Sequence, residues 1–313
     1  MARLQGRWAQ AGNAGPRAVS RSQEAIRSGA LRLDARKLQK SAIRACTDRL
    51  VGSSAFKFRR SAFRGTEPKV TMIAPSPFGA GHGFPVNISV NAVTPLYNAA
   101  LITECGQLEP RAKELILLVK RWAKDRGLCH AAKGHFSPYA WTLLAIFFMQ
   151  AGSEEPMLPP LENFPSSSGL MHRRRLPPSQ PAAVVAPFSC RLSAGALFKE
   201  FVAFYTNEFN WEKEAVSIRV GKRASPDVLL PLHIILRDDK TTLVGPSIED
   251  PFEDWQNLGE CSTAASLQRL HEELRRAHEI CSRGEPSLTA LLEPWAPPEH
   301  ADKAEAEAEE QED

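Results

Sequence analysis

Apolar positions in the second half of this chain recur mostly at helical spacing, and short strand-like runs precede them. Lys69-Val70-Thr71-Met72-Ile73 predicts a strand. Val86 to Val90 predicts another, alternating so that Asn87, Ser89 and Asn91 share one face. Pro75 to Gly83 between them is a Pro/Gly loop. Two strands alone do not make a domain. Upstream the sequence offers no partner, because residues 1–66 show little periodicity beyond a weak-faced basic helix over Leu31 to Leu50.

Helices follow. Pro95 to Thr103 predicts a short one. Pro110 to Gly127 predicts a clear one, with Pro in the first turn, Gly at the stop, and Leu115, Leu118, Val119 and Trp122 turned toward a core. Ser137-Pro138 opens a nearly all-apolar helix to Gln150, a pattern that is buried on most sides. Gly195 to Phe209 returns to helix, Ala215 to Val220 reads as strand, and Leu229 to Leu236 is apolar but broken by Pro231. Ser262 or Thr263 caps a final helix to about Cys281, with Leu267, Leu270, Leu274, Ala277 and Ile280 as its stripe. The fold class is α+β. A mainly helical domain with a few short strands covers 92–295 and carries a Pro/Ser-rich loop insertion at 151–190. A sheet remnant at 67–91 precedes it. A basic, flexible region (1–66) and an acidic, disordered tail (296–313) flank the whole.

The 313 residues are 43% hydrophobic and 24% charged, the composition of a soluble globular protein. The net charge of +3 hides a polar split. Residues 1–70 hold 16 Lys/Arg against 4 Asp/Glu, and residues 296–313 hold 1 against 8. The basic head suits a polyanion or is simply a solvated tail. Six scattered Cys form no CxxC, which argues against a zinc site or disulfide framework and for a reducing compartment. Ala140 to Met149 is too short to span a bilayer, so no membrane partner is expected. The expected location is cytoplasmic. The Arg-rich start, free of acids before Glu24, makes a mitochondrion or other organelle the alternative.

Lys120 and Lys124 lie one turn apart on one helix face, where they either flank an anion such as a triphosphate or snorkel on the surface. Ser137 and Tyr139 stand at a helix N-terminus, as an anion and ring site or as plain capping. Ile248-Glu249-Asp250-Pro251-Phe252-Glu253, with Gln256 and Asn257 beyond, sets acids near a turn that reads either as a base-edge site or as a solvated acidic turn. Arg173-Arg174-Arg175 is a basic cluster in the insertion. HExxH, GxSxG and GxxxxGK[ST] do not occur.

The blocks "VNISVN" and "YNAALI", then "LEPRAKELILLVKRWAKDRGL", "GHFSPYAWTLLAIFFMQ", "FVAFYTNEFNWEKEAVSIRVG" and "SIEDPFEDWQNLG", occur in this order over about Lys69 to Arg283. Together they resemble the non-templated RNA nucleotidyltransferases, the terminal uridylyltransferases and poly(A) polymerases with a PAP-associated domain. The resemblance implies a mixed-sheet palm whose three carboxylates hold two divalent metals, and a helical domain that closes over the nucleotide. The reaction implied is attack of an RNA 3′-hydroxyl on the α-phosphate. By the same resemblance, Asn98 reads the sugar and base, and Lys120 and Lys124 hold the triphosphate. Ser137 serves the phosphate side, Tyr139 stacks on the base, and Asp250 and Glu253 lie at the base edge. Gln256 falls where many uridylyltransferases carry a histidine, which leaves UTP versus ATP open.

Departures from the family pattern decide what to expect of activity. The third carboxylate position is Asn87, a poor ligand for a hard cation. No D-x-D follows Gly52-Ser53, and the second serine of the usual SSY is Pro138. The expectation is a family member that lacks most of the palm and is inactive by itself, with Mg2+ or Mn2+ and UTP or ATP used if it is active. The alternative is a non-catalytic RNA-binding or scaffold protein. There the basic head and Arg173, Arg174 and Arg175 touch single-stranded RNA near its 3′ end while a protein partner acts.

Overall fold

The computed structural model describes residues 34–63, 68–76, 83–92, 94–153, 155–164, 192–237, 239–253, 255–283 and 287–296. It divides into two compact units, Met1–Val93 and Thr94–Asp313.

In the first unit, α1 (Ala35–Gly52) begins at Asp34, whose carboxylate accepts the N–H groups of Arg36 at 3.0 Å and Lys37 at 3.1 Å. The strands β1 (Lys57–Ala62), β2 (Lys69–Ala74) and β3 (Phe84–Ile88) form an antiparallel sheet in that order. Ile43 of α1 packs with Val70 and Met72 of β2 as a small core. β1 corrects the sequence reading, which found no upstream partner for the two strands. Its residues, KFRRSA, are all exposed, so no buried alternation marks it. Pairing with β2 supplies the order that its pattern does not.

The second unit is built on helices: α2 (Thr94–Leu108), α3 (Arg111–Asp125), α4 (Pro138–Ala151), α5 (Ala194–Ala203), the short α6 (Pro226–Leu229), α7 (Ala264–Ser282) and α8 (Leu288–Leu292). α2 runs five residues past the predicted end at Thr103. β4 (Ala215–Val216) pairs in parallel with β7 (Ser247–Ile248), and β5 (Ile234–Leu236) pairs antiparallel with β6 (Thr242–Val244).

α4 is the central helix, and every residue from Ala140 to Gln150 is buried. Trp122 of α3 sits edge-on to Trp141, with ring centroids 5.5 Å apart, and 5.8 Å from Phe198 of α5. Several buried polar atoms find backbone partners. Trp141 Nε1 donates to Leu128 O at 3.1 Å, and Tyr205 Oη donates to Leu144 O at 2.9 Å. Gln150 Nε2 donates to Pro159 O at 2.7 Å and Ile218 O at 3.0 Å, which explains a polar residue in the apolar helix.

Three expectations change here. The front of the 151–190 insertion is packed rather than loose: Leu158, Leu161 and Phe164 are buried, and Leu161 N donates to Ile218 O at 2.9 Å. The strand expected over Ala215 to Val220 ends at Val216, because Ser217 turns its hydroxyl to the buried Glu249 carboxylate. The helix ending at Ser282 is not the last one, since α8 follows it. No helix among the described residues is long and apolar enough to cross a membrane.

Candidate functional site

Three segments of the second unit build the site. The first is the start of α4. Ser137 is extended and its Oγ accepts Ala140 N–H at 3.1 Å, while Pro138 takes the first helical position, where an N–H has no partner to lose. The Ser137 hydroxyl hydrogen remains available to donate. Tyr139 follows, with a buried phenolic oxygen.

The second segment is the turn from β7 to Gly259. Leu258 N donates to Ile248 O at 2.8 Å and Asp250 N to Gln256 O at 3.0 Å. Asn257 fixes the turn from inside. Its Oδ1 accepts Ile248 N–H at 2.9 Å and Gly259 N–H at 2.8 Å, and its Nδ2 donates to Pro246 O at 3.2 Å. A Cβ at Gly259 would lie 2.0 Å from Pro246 O, so no other residue fits there. Asp250 is buried, and its Oδ1 accepts Phe252 N–H at 2.9 Å. Glu249, also buried, anchors the turn to the preceding loop through Ser217 and through Arg219, whose Nη2 donates to Glu249 Oε1 at 3.0 Å.

The third segment is the start of α2. Tyr97 stacks on Phe252 of the turn at 5.2 Å and 23°. The next residue, Asn98, has a buried Oδ1 without a hydrogen-bond partner. Buried carbonyl oxygens are normally satisfied, so this one is suited to a ligand donor.

Electrostatics tie the acids to the ring. The Tyr139 phenolic oxygen is buried, and the Asp250 carboxylate stands close to it. Burial first, then the charge and hydrogen bonding of Asp250 and the charge of Glu253, push the phenol far above its ordinary range. Lys120 and Lys124 on α3 converge elsewhere, on Cys129. Burial raises the Cys129 thiol, and the two ammonium groups pull it back down. Lys120 is half-buried and Lys124 exposed. Neither forms an ion pair among the described residues.

α3 itself is held by ion pairs at both ends. Arg111 donates through Nε at 2.7 Å and Nη2 at 2.6 Å to Glu109, just before the helix. Arg126, just after it, makes a fork with Glu273 of α7 at 2.8 Å and 2.8 Å. Gly127 ends the helix with φ +71°.

The structure therefore joins Tyr139 with Asp250 and Glu253, and sets Asn98 beside the ring pair that packs on their turn. It brings Lys120 and Lys124 to a common point. Gln256 contributes its backbone carbonyl to the turn and keeps an exposed side chain. Arg173, Arg174 and Arg175 lie outside the described residues. Asn87 belongs to the first unit, where its Oδ1 accepts the Thr71 hydroxyl at 2.7 Å across β2 and β3. Sequence reasoning missed the anchoring roles of Glu249, Arg219 and Ser217. Nothing in the local pattern marks Glu249, an acid just after the two-residue strand Ser247–Ile248, because its partners lie 30 and 32 positions away.

Known proteins share this fold. The family model for the Cid1 family poly A polymerases matches residues 193–255. The poly(A) RNA polymerase GLD2-A of Xenopus laevis is 30% identical over 142 residues, covering 45% of this chain and 28% of that protein's length. The Cid1 poly(U) polymerase, in a crystal structure bound to MgATP from work on UTP selectivity, superposes with a TM-score of 0.63. The identity is 22%, covering 84% of this chain and 79% of that one. The structure of a cytoplasmic RNA terminal U-transferase gives a TM-score of 0.60 at 21% identity, covering 80% and 75% of the two chains. At such identity the solved structures establish the fold alone.

Proposed function

The chain belongs to the Cid1- and GLD2-type family of template-independent poly(A) polymerases and terminal uridylyltransferases with a PAP-associated domain; on that premise we propose that its helical unit binds a nucleoside triphosphate at the start of α4. The observation that carries this is the convergence of Tyr139, Asp250 and Glu253, which come from elements more than 100 residues apart. A ring beside two carboxylates suits a base with N–H donors at its edge. Lys120 and Lys124 supply the charge a triphosphate needs, with the Ser137 hydroxyl as a further donor. Asn98 Oδ1 is the acceptor for the sugar or base.

ATP is the proposed nucleotide over UTP. Gln256 has the paired donor and acceptor that fit the adenine N6/N7 edge, and GLD2-A is a poly(A) RNA polymerase. The proposed partner is the 3′ end of single-stranded RNA and the proposed location is the cytoplasm, as for the cytoplasmic RNA terminal U-transferase.

Transfer chemistry in this family uses divalent metal, Mg2+ or Mn2+, on carboxylates. The residues described here do not fit that group. Asn87 is a neutral amide already engaged by Thr71, and among the described residues no group of three or more His, Cys, Asp or Glu is placed to share an ion. The proposal is therefore nucleotide binding without metal-dependent transfer by this chain alone.

The test is calorimetric titration of ATP and UTP, followed by primer extension on a short RNA with Mg2+ or Mn2+. Saturable ATP binding that Lys120→Ala or Lys124→Ala weakens, with no added tail, is the expected result. Tails would overturn the catalytic part. A folded protein that binds RNA with steep salt dependence but takes no nucleotide would favour the scaffold reading instead.

A further inference from the structure

We infer that Trp255 is a stacking platform for a nucleobase. The inference rests on the nucleotide and RNA reading above and goes beyond it, because neither the sequence pattern nor the family resemblance assigns this residue a role.

Two observations carry it. Trp255 is 73% exposed, the most exposed aromatic side chain among the described residues, whereas Trp122, Trp141 and Trp211 are buried. It holds φ +61°, the left-handed region that tryptophan avoids and glycine prefers. Neither hydrophobic burial nor backbone preference accounts for an indole here. Such strain persists where the surroundings over-determine it, commonly at ligand sites.

The surroundings do so. The residues that follow it are pinned by Asp250 N, which donates to Gln256 O at 3.0 Å, and by the Asn257 side-chain bonds that close the turn. The indole is thus carried on a rigid turn that also bears Asp250, Glu253 and Gln256. A ring already held in place loses little freedom when a base stacks on it. Every base has a π-face, so the contact needs no sequence preference.

The test uses the full chain and two variants. Trp255→Gly removes the ring and suits the backbone, so its melting temperature should not fall. Trp255→Phe keeps a ring at the same strain. Binding of a fluorescein-labelled 15-nucleotide single-stranded RNA is followed by anisotropy at several salt concentrations, in parallel with calorimetry of ATP and UTP. Loss of one stacked base predicts about 5- to 160-fold weaker binding for the Gly variant. The Phe variant should stay within about 3-fold, and the salt slope should not change because no charge is removed.

Loss in the RNA arm assigns the base to the RNA, and loss only in the triphosphate arm assigns it to the incoming nucleotide; either supports the platform. Equal binding by wild type and Trp255→Gly overturns it and leaves the nucleotide site standing. So does an equal loss in both variants. A folded wild type that binds neither RNA nor nucleotide overturns this inference and the proposed function together.

Discussion

Replacing Glu273 by alanine removes the centre of a buried ion network. Glu273 is 4% exposed and Arg126 is 7% exposed. Its carboxylate accepts Arg126 Nε and Nη2, each at 2.8 Å, and Arg269 Nη2 at 3.0 Å. Arg126 also donates to Glu293 O at 2.5 Å, and Arg269 lies over the Trp295 ring at 3.9 Å. Two guanidinium groups therefore share one acid, and without it they remain with like charge, Arg126 losing its ion-pair partner and Arg269 keeping only the nearby charge of Glu272. Breaking a buried pair costs about 3–5 kcal/mol. Part of the guanidinium hydrogen bonding survives through backbone carbonyls, so about 3 kcal/mol is the expected loss for Glu273→Ala.

Guanidinium denaturation followed by tryptophan fluorescence measures this well, because five of the six tryptophans lie in the second unit. A double replacement, Arg126→Met with Glu273→Leu, should recover much of the loss, since an apolar pair avoids the stranded charge. Acid titration gives an independent check. Burial works to raise the Glu273 carboxyl, but the bonds from Arg126 and the charges of Arg126, Arg269 and Arg276 outweigh it and hold the group below its ordinary value. A depressed folded pKa means that its stabilisation is present above the unfolded value of about 4.3 and is lost as pH falls through the folded value. Glu273→Gln should remove this part of the acid sensitivity. A loss under about 1 kcal/mol for Glu273→Ala, with acid unfolding unchanged, would refute the account of a coupled buried network.

Further outcomes are expected. Gly127→Ala should cost about 1–2 kcal/mol in the same denaturation assay, because φ is +71° and a Cβ would meet Trp295 Cε3 at 2.9 Å. Thr263→Ala should cost about 1 kcal/mol by removing the reciprocal cap in which Ser266 N–H meets Thr263 Oγ1 at 3.2 Å and Thr263 N–H meets Ser266 Oγ at 2.8 Å. ATP should slow alkylation of Cys129, read by peptide mass spectrometry, since its phosphates would neutralise the two lysines that lower the thiol pKa; an unchanged rate at saturating ATP would place the triphosphate elsewhere. Asn87→Asp should leave RNA extension undetectable while the exposed position tolerates the charge, and a restored tail in the primer assay would show that other carboxylates complete a metal site.

The sequence by itself determined the helical unit. α3 and α4 are legible because Trp122 and its stripe recur at 3.6-residue spacing, and because Ser137-Pro138 and Gly127 mark ends that depend only on local backbone chemistry. The family blocks likewise stand in the chain to be read, along with the amide at Asn87. Tertiary structure decided what depends on distant partners. β1 is a strand through its pairing with β2, although its exposed residues carry no period. Leu158 and Leu161 belong to the core although composition marks their segment as a loop. Only folding brings the Asp250 turn against Tyr139 and sets Tyr97 on Phe252, since contacts across more than 100 positions leave no periodic trace in sequence. The exposure of Trp255 is of the same kind, because neither its type nor its polar neighbours fix which way the positive-φ backbone turns the indole.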